Sequence, residues 1–325
     1  MLSRVADSIY WMCRYIERAD NIARLIEVNY SFILDLPPNA SEQWEPLVNI
    51  TADDEWFKGK YDAATRDHVI DFLVCNREYP NSIISCLRAA RENARSVRET
   101  ISSETWENLN RFYLMVNEAV QRGPEALASS HEFLAEVKWH SHLFAGCLHN
   151  TMSQEEAWHF CQVGTLLERA DKTSRILDVK YFHLLPSVQD VGSPLDENQW
   201  AALLRSASAL EMYRQQFGRI APSKVIHFLI LDRAFPRAML YAVSRSEESL
   251  HAISGTPPGT FSNAAEQRLG QLRSDLAYAT TDEVLGTGLH EFLDQFQARL
   301  NRVGDAMHDT YFALQPSVPA NAWSG

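Results

Sequence analysis

Near the start of the chain, apolar positions recur at the three-and-four spacing of one helix face: Ile9, Met12, Ile16, Ala19, Ala23, Ile26, Tyr30 and Ile33. Ser3 supplies an N-cap ahead of them, and Pro37-Pro38 ends the helix. The same pattern predicts helices over about 64–75, 81–101, 103–122, 125–150, 153–184, 197–216, 222–231, 235–254, 261–279 and 282–314. Between them stand turn signals: Tyr79-Pro80-Asn81-Ser82, Arg122-Gly123-Pro124, Pro186 to Pro194, and Gly255-Thr256-Pro257-Pro258-Gly259. Val, Ile and Thr never alternate long enough for a sheet. The pattern therefore predicts an all-α fold, a multi-helix bundle of long antiparallel helices.

The pattern also repeats. Ile16-Glu17-Arg18-Ala19-Asp20 with Arg24 and Tyr30 returns as Leu167-Glu168-Arg169-Ala170-Asp171 with Arg175 and Tyr181, an offset of 151. Gln43-Trp44 and Leu47 return as Gln199-Trp200 and Leu203, and Val69-Ile70 with Phe72-Leu73 as Val225-Ile226 with Phe228-Leu229, both at 156. His131-Glu132-Phe133-Leu134 returns at 159 as His290-Glu291-Phe292-Leu293, and His149 matches His308. Blocks in one order with slowly drifting offsets predict two duplicated halves, 1–151 and 152–315, forming one domain with a pseudo-twofold axis. Residues 316–325 are expected to be a disordered tail.

Composition narrows the function classes. With 30 Lys plus Arg against 42 Asp plus Glu, the net charge is −12, the wrong sign for a nucleic-acid binder lacking a concentrated basic stripe. At 46% apolar and 22% charged the chain is an ordinary globular protein, and only 13 Gly and 13 Pro at this length imply long elements. Five scattered cysteines with no Cys-x-x-Cys pair argue against a disulfide framework or zinc site. No secretory signal or membrane span is visible, so a cytoplasmic protein is expected.

The charged residues with the most chemistry to offer lie on helix strips. Glu17, Asp20, Arg24 and Glu27 fall within an arc of about 80°, and Glu168, Asp171, Arg175 and Asp178 repeat that spacing. Arg18 and Arg169 stand about 100° from the Glu before them, so the members of each Glu-Arg pair serve different neighbours. Two readings are open: solvated i,i+4 salt bridges, or acids around one Arg facing an interhelical groove that takes an amine, a peptide or a cation. Arg88, Arg91, Arg95 and Arg98 form a basic row, with Glu92 beside it, that the second half does not repeat. Such a row suits a carboxylate or phosphate, or packs against the acids of the first helix as a structural network.

Glu156-x-x-His159 and Glu248-x-x-His251 have the spacing of carboxylate-bridged metal bundles, but they do not correspond under the duplication, and no metal ligand is assigned. His140 and His142 point to different faces, and the matched histidines are expected to pack or hydrogen-bond. No phosphate loop or nucleophile elbow is present.

Met1-Leu2-Ser3-Arg4, Tyr10-Trp11, Arg14-Tyr15-Ile16-Glu17-Arg18-Ala19, Ala90-Arg91-Glu92-Asn93-Ala94-Arg95 and Leu167-Glu168-Arg169-Ala170-Asp171 together resemble the bacterial alpha-E family, helical proteins named for a Glu-Arg motif. The resemblance covers almost the whole chain. It implies a partnership with a circularly permuted ATP-grasp ligase, and an association with a transglutaminase-like peptidase and a proteasome-like hydrolase. It marks Glu17, Arg18, Arg91, Glu92, Arg95, Glu168 and Arg169.

The expectation is thus a helical subunit acting with an ATP-grasp-type ligase in peptide or amide-bond synthesis or tagging, catalytic or not. Glu17, Arg18, Asp20, Arg24, Arg88, Arg91, Glu92, Arg95, Glu168, Arg169, Asp171 and Arg175 would bind amino-acid or peptide substrate in a charged groove. No cofactor is expected on this chain; ATP and Mg belong to the partner. Nucleic acid and membrane are not expected partners. The alternatives are an autonomous metal-dependent helical-bundle enzyme with a carboxylate–histidine site, and a purely structural interaction protein.

Overall fold

Helix α1 (Ser3–Leu34) has 32 residues and is about 48 Å long. Its predicted apolar face, Ile9 through Ile26, is buried, but so are Glu17, Asp20, Asn21, Arg24 and Asn29. A surface helix turns its polar side to water; α1 is enclosed on both sides and forms the axis of the molecule.

The computed structural model describes residues 1–34, 43–51, 53–127, 131–182 and 193–313. After α1 come the short α2 (Glu45–Thr51) and α3 (Asp54–Lys58), then α4 (Arg66–Ile70), which continues into a π-helical turn, Asp71–Cys75. Next are α5 (Ile83–Ser96), α6 (Ser103–Gln121), α7 (Pro124–Leu127), α8 (His131–Thr151) and α9 (Glu156–Phe182). The remainder is α10 (Pro194–Ser206), α11 (Leu210–Phe217), α12 (Pro222–Leu231), α13 (Met239–Ser254), α14 (Ala264–Tyr278), α15 (Thr281–Thr287) and α16 (Leu289–Met307), which ends in a second π turn, His308–Phe312. The described residues contain no strand, and the fold is all-α.

The starts have local causes. Ser82 and Ser102 accept the backbone N–H of Ser85 and Thr105 at 3.2 and 3.1 Å, capping α5 and α6. Gly255, at φ 74°, supplies the left-handed residue that closes α13.

Helix α9 lies along α1, and the other helices gather around this pair. On α1 pack α5, α8 and α10, with α6 against α5 and α8; on α9 pack α13 and α16, with α14 against both. The buried apolar side chains form one cluster from Ala6 to Phe312. The central pair approaches closely at Gly164, where a Cβ would collide with the carbonyl oxygen of Tyr10. No described helix is long and apolar enough to cross a membrane.

Several boundaries differ from expectation. The predicted helix 197–216 is two, broken at Ser208, whose φ of 50° leaves the helical region. The helix expected over 282–314 is interrupted by Gly288 at φ 97°. The helix expected to 101 stops at Ser96, the one expected from 235 starts at Met239, and α2 and α3 were not foreseen. The Pro37-Pro38 stop, residues 128–130, the loop from Pro186 up to residue 192 and the tail 316–325 lie outside the described residues.

Candidate functional site

Where α1 meets α9, the two Glu-Arg pairs engage crosswise. Arg18 donates from Nε to Glu168 Oε1 at 2.6 Å and from Nη2 to Oε2 at 3.0 Å. In the other direction Arg169 donates from Nε and Nη2 to the two oxygens of Glu17, each at 2.9 Å. Both contacts are bidentate, the strongest geometry open to a guanidinium and a carboxylate. The helical offset between neighbouring residues explains why each pair divides its charges, as the sequence predicts: Glu17 leans toward Arg169 while Arg18 leans toward Glu168.

Further cations close the network. Arg14 donates to Glu168 at 2.8 Å, and Lys172 lies 3.6 Å from the same carboxylate. Arg237, from the segment before α13, donates to Glu17 at 3.3 Å, Asn21 at 3.1 Å and Asp20 at 2.8 Å. Asp20 also accepts from Arg24 Nε at 2.7 Å, and Arg24 reaches the Ser206 carbonyl at 3.2 Å and Ser208 Oγ at 2.7 Å. Arg24 Nη2 lies 3.1 Å from His142 Nε2, which acts as acceptor to this always-protonated group. In the other strip Arg175 donates to Asp171 at 3.0 Å and to the Ile50 carbonyl at 2.7 Å, while Lys172 approaches Asp171 at 2.8 Å.

The centre of the network is far from solvent: Glu168 has 0% of its surface exposed and Arg24 2%. Burial alone would raise the carboxyl pKa values. The guanidiniums of Arg169 and Arg237 outweigh that for Glu17 and hold it at about 2. Against the same burial, Arg18, Arg14 and Lys172 hold Glu168 well below the usual range, and Arg175 and Lys172 lower Asp171. Glu17, Glu168 and Asp171 thus stay ionised at neutral pH, and the crosswise ion pairs hold the two central helices together.

The Arg row faces elsewhere. Arg91 donates to Asn110 Oδ1 of α6 at 2.7 Å and stacks over Tyr113 and Trp106 at 5.2 and 5.7 Å; Arg98 lies 4.9 Å over Trp106. Arg95 donates to Glu92 at 2.8 Å and Arg88 to the Arg77 carbonyl at 3.3 Å. The row therefore lines the outer α5–α6 surface, and the structure does not bring it into one groove with the acid strips.

Two cavities flank the central pair. The first, about 380 Å³, lies between α1, α9 and α16, and Trp11, Arg14, Asp171, Asn301, Asp305 and His308 line it. Arg14 stacks over Trp11 at 4.9 Å and donates to the Tyr10 hydroxyl at 3.0 Å. One cation and two acids in its lining can take a zwitterion or an amine. The second, about 430 Å³, opens between α8, α9 and α13 and includes Arg169. Of the expected binding residues, Asp171 and Arg169 line these cavities; Glu17, Arg18, Asp20, Arg24, Glu168 and Arg175 belong to the buried network and Arg88, Arg91, Glu92 and Arg95 to the outer face.

Sequence reasoning missed Arg14, Lys172, Arg237 and His142. Arg14 was within reach, since it stands one turn before Arg18 on the same face. Nothing in the pattern marks Arg237, and His142 stands out there only as half of the His140/His142 pair. Among the described residues no group of three or more His, Cys, Asp or Glu is placed to hold a metal ion. His290 contacts Asp178 at 2.9 Å, and His131 packs on Tyr30 with ring centroids 5.2 Å apart.

Uncharacterized proteins of Mycobacterium bovis and Mycobacterium tuberculosis are 24% identical over 340 aligned residues, covering 96% of this chain. The alignment covers 37% of those relatives, so the chain spans little more than a third of their length. No solved structure matches. The family profile described as a predicted alpha-helical domain with a conserved ER motif matches residues 1–312, and the chain, with both its Glu-Arg pairs buried at the heart of an all-helical fold, belongs to that family, Alpha-E.

Proposed function

We propose that the chain is a helical binding subunit that works with an ATP-grasp-type ligase in peptide or amide-bond synthesis or tagging. The observation that carries the binding part is the cavity at the edge of the Glu-Arg network, about 380 Å³ in volume, with Arg14, Asp171 and Asp305 in its lining. An α-carboxylate would sit on Arg14 and an amine on the aspartates, in a space suited to an amino acid or short peptide. A ligase has to bring an activated carboxyl and an amine together, and a subunit that holds one of them supplies orientation. ATP and Mg would be bound by the partner.

The ligase, the peptidase-like and hydrolase-like partners and a cytoplasmic setting rest on the family resemblance. The greater length of the mycobacterial relatives agrees with a domain that works beside other domains. The test is co-expression and pull-down with a circularly permuted ATP-grasp protein of the same organism, with ligase turnover measured with and without this chain. A stable complex with raised turnover supports the reading; no complex and unchanged turnover overturn it.

A second reading, a purely structural interaction protein, is favoured by the depth of the crosswise pairs, which leaves most strip residues unable to meet a ligand. The first cavity separates the two. If Asp305→Asn and Arg14→Ala leave partner activity intact, the structural reading stands.

The proposal extends to the origin of the network. Arg24 on the Ser206 carbonyl and Arg175 on the Ile50 carbonyl are equivalent contacts under the sequence offsets of 151 and 156. They support a duplicated domain with a pseudo-twofold axis relating 1–151 to 152–315. An experimental structure whose halves do not superpose would remove that support.

A further inference from the structure

The second cavity differs in chemistry from the first. Its walls offer the rings of Trp158 and Tyr241 and the Leu166 side chain, with Arg169, Arg245 and Ser249 between them. Arg169 uses Nε and Nη2 on Glu17, both at 2.9 Å, and is also part of the cavity lining. Arg245 lies 5.4 Å over the Tyr241 ring. Its bridge to Glu248, at 2.6 Å, joins two side chains that are 52% and 61% exposed. A solvated bridge of that kind contributes roughly 0.2–1 kcal/mol, so a ligand carboxylate can replace it.

Trp158 Nε1 and His159 Nδ1 are sealed from solvent, so these two residues meet the cavity with their ring surfaces. Aromatic surfaces fit a flat apolar body, and two guanidiniums contributed by different helices fit an anion at its end. At about 430 Å³ the space is in the range of small-molecule sites.

We propose that the cavity between α8, α9 and α13 is a binding site for a small organic carboxylate with an aromatic body, its carboxylate held by Arg245 and Arg169 and its ring lying between Trp158 and Tyr241. The site is independent of the ligase partnership and stands or falls separately from it.

The probe is N-acetyl-phenylalanine, titrated calorimetrically into the full chain, with N-acetyl-phenylalaninamide and N-acetyl-alanine as comparisons. The acid is expected to bind at one site per chain. Removing the charge in the amide, or the ring in the alanine compound, should weaken binding by about tenfold or more, the loss of roughly one charge-assisted contact. Arg245→Ala should weaken the acid by a similar factor without changing the amide, and as a half-exposed residue it should leave the melting temperature unchanged. Tyr241→Ala should weaken acid and amide together. Equal affinity for acid and amide, indifference to Arg245→Ala, or no binding of the acid at millimolar concentration would overturn the proposal.

Discussion

Arg18 and Glu168 lie 150 residues apart in the chain and meet at 2.6 Å in the centre of the molecule, with the carboxylate fully withdrawn from water. Around that carboxylate stand also Arg14 and Lys172. Deleting the acid leaves Arg14 and Arg18 without a carboxylate, while Lys172 keeps Asp171 at 2.8 Å, and a buried charge left without its partner destabilises by about 3–5 kcal/mol. Glu168→Ala should therefore lower stability by roughly that amount in urea unfolding. Arg95→Ala, on an outer side chain that is 66% exposed, should shift it by less than about 0.5 kcal/mol.

Acid should loosen the centre in a defined window. The Glu17 carboxyl sits at about 2 in the folded chain against a usual 4.5, so its ionised form stabilises the fold above about pH 4.5 and that contribution disappears as pH falls toward 2. The lowered Glu168 and Asp171 act in the same direction. Urea midpoints measured against pH should be flat in their carboxylate contribution from pH 7 to 5 and fall below that. Glu17→Gln should begin less stable and fall less steeply; an unchanged slope would remove Glu17 from the cause.

Glycine at position 164 is required by the approach of two helices. An added methyl would strike the Tyr10 carbonyl, so Gly164→Ala should destabilise by about 1–3 kcal/mol. Gly146, in the interior of α8, meets nothing within 4 Å, and alanine there should instead stabilise by roughly 0.5–1 kcal/mol through helix propensity. Thermal melts of the two variants should move in opposite directions.

The first cavity gives a functional prediction. Asp305→Asn removes a charge from its lining while keeping the shape. Under the proposed role beside an ATP-grasp-type ligase, it should reduce that ligase's turnover in the presence of the chain without moving the melting temperature of the isolated chain. A fall in melting temperature matching the loss of turnover would assign Asp305 to the frame.

The helical plan was legible because α1, α6 and α9 are long enough for their periodicity to show. Helix α2 spans seven residues and α3 five, less than the pattern needs, and around Gly288 the apolar spacing continues across a residue whose positive φ only coordinates display. The strips were legible as arcs: Glu17, Asp20 and Arg24 do share a side of α1. What lay opposite that side was not, since the crossing of α1 with α9 and the entry of Arg237 depend on contacts between residues far apart in sequence. For the same reason spacing could align Arg91 with Arg95 but could not place Trp106 and Tyr113 beneath the row.

The crosswise seating of Glu17 on Arg169 and of Arg18 on Glu168 also sets the axial alignment of the central helices. Apolar ridges accept a neighbour displaced by one turn with little change in buried area. The two ion pairs do not: sliding α1 by a turn would part both together and leave four charges stranded inside the molecule. The motif therefore acts as a key with two opposed teeth, which turns only when both helices are at the right depth.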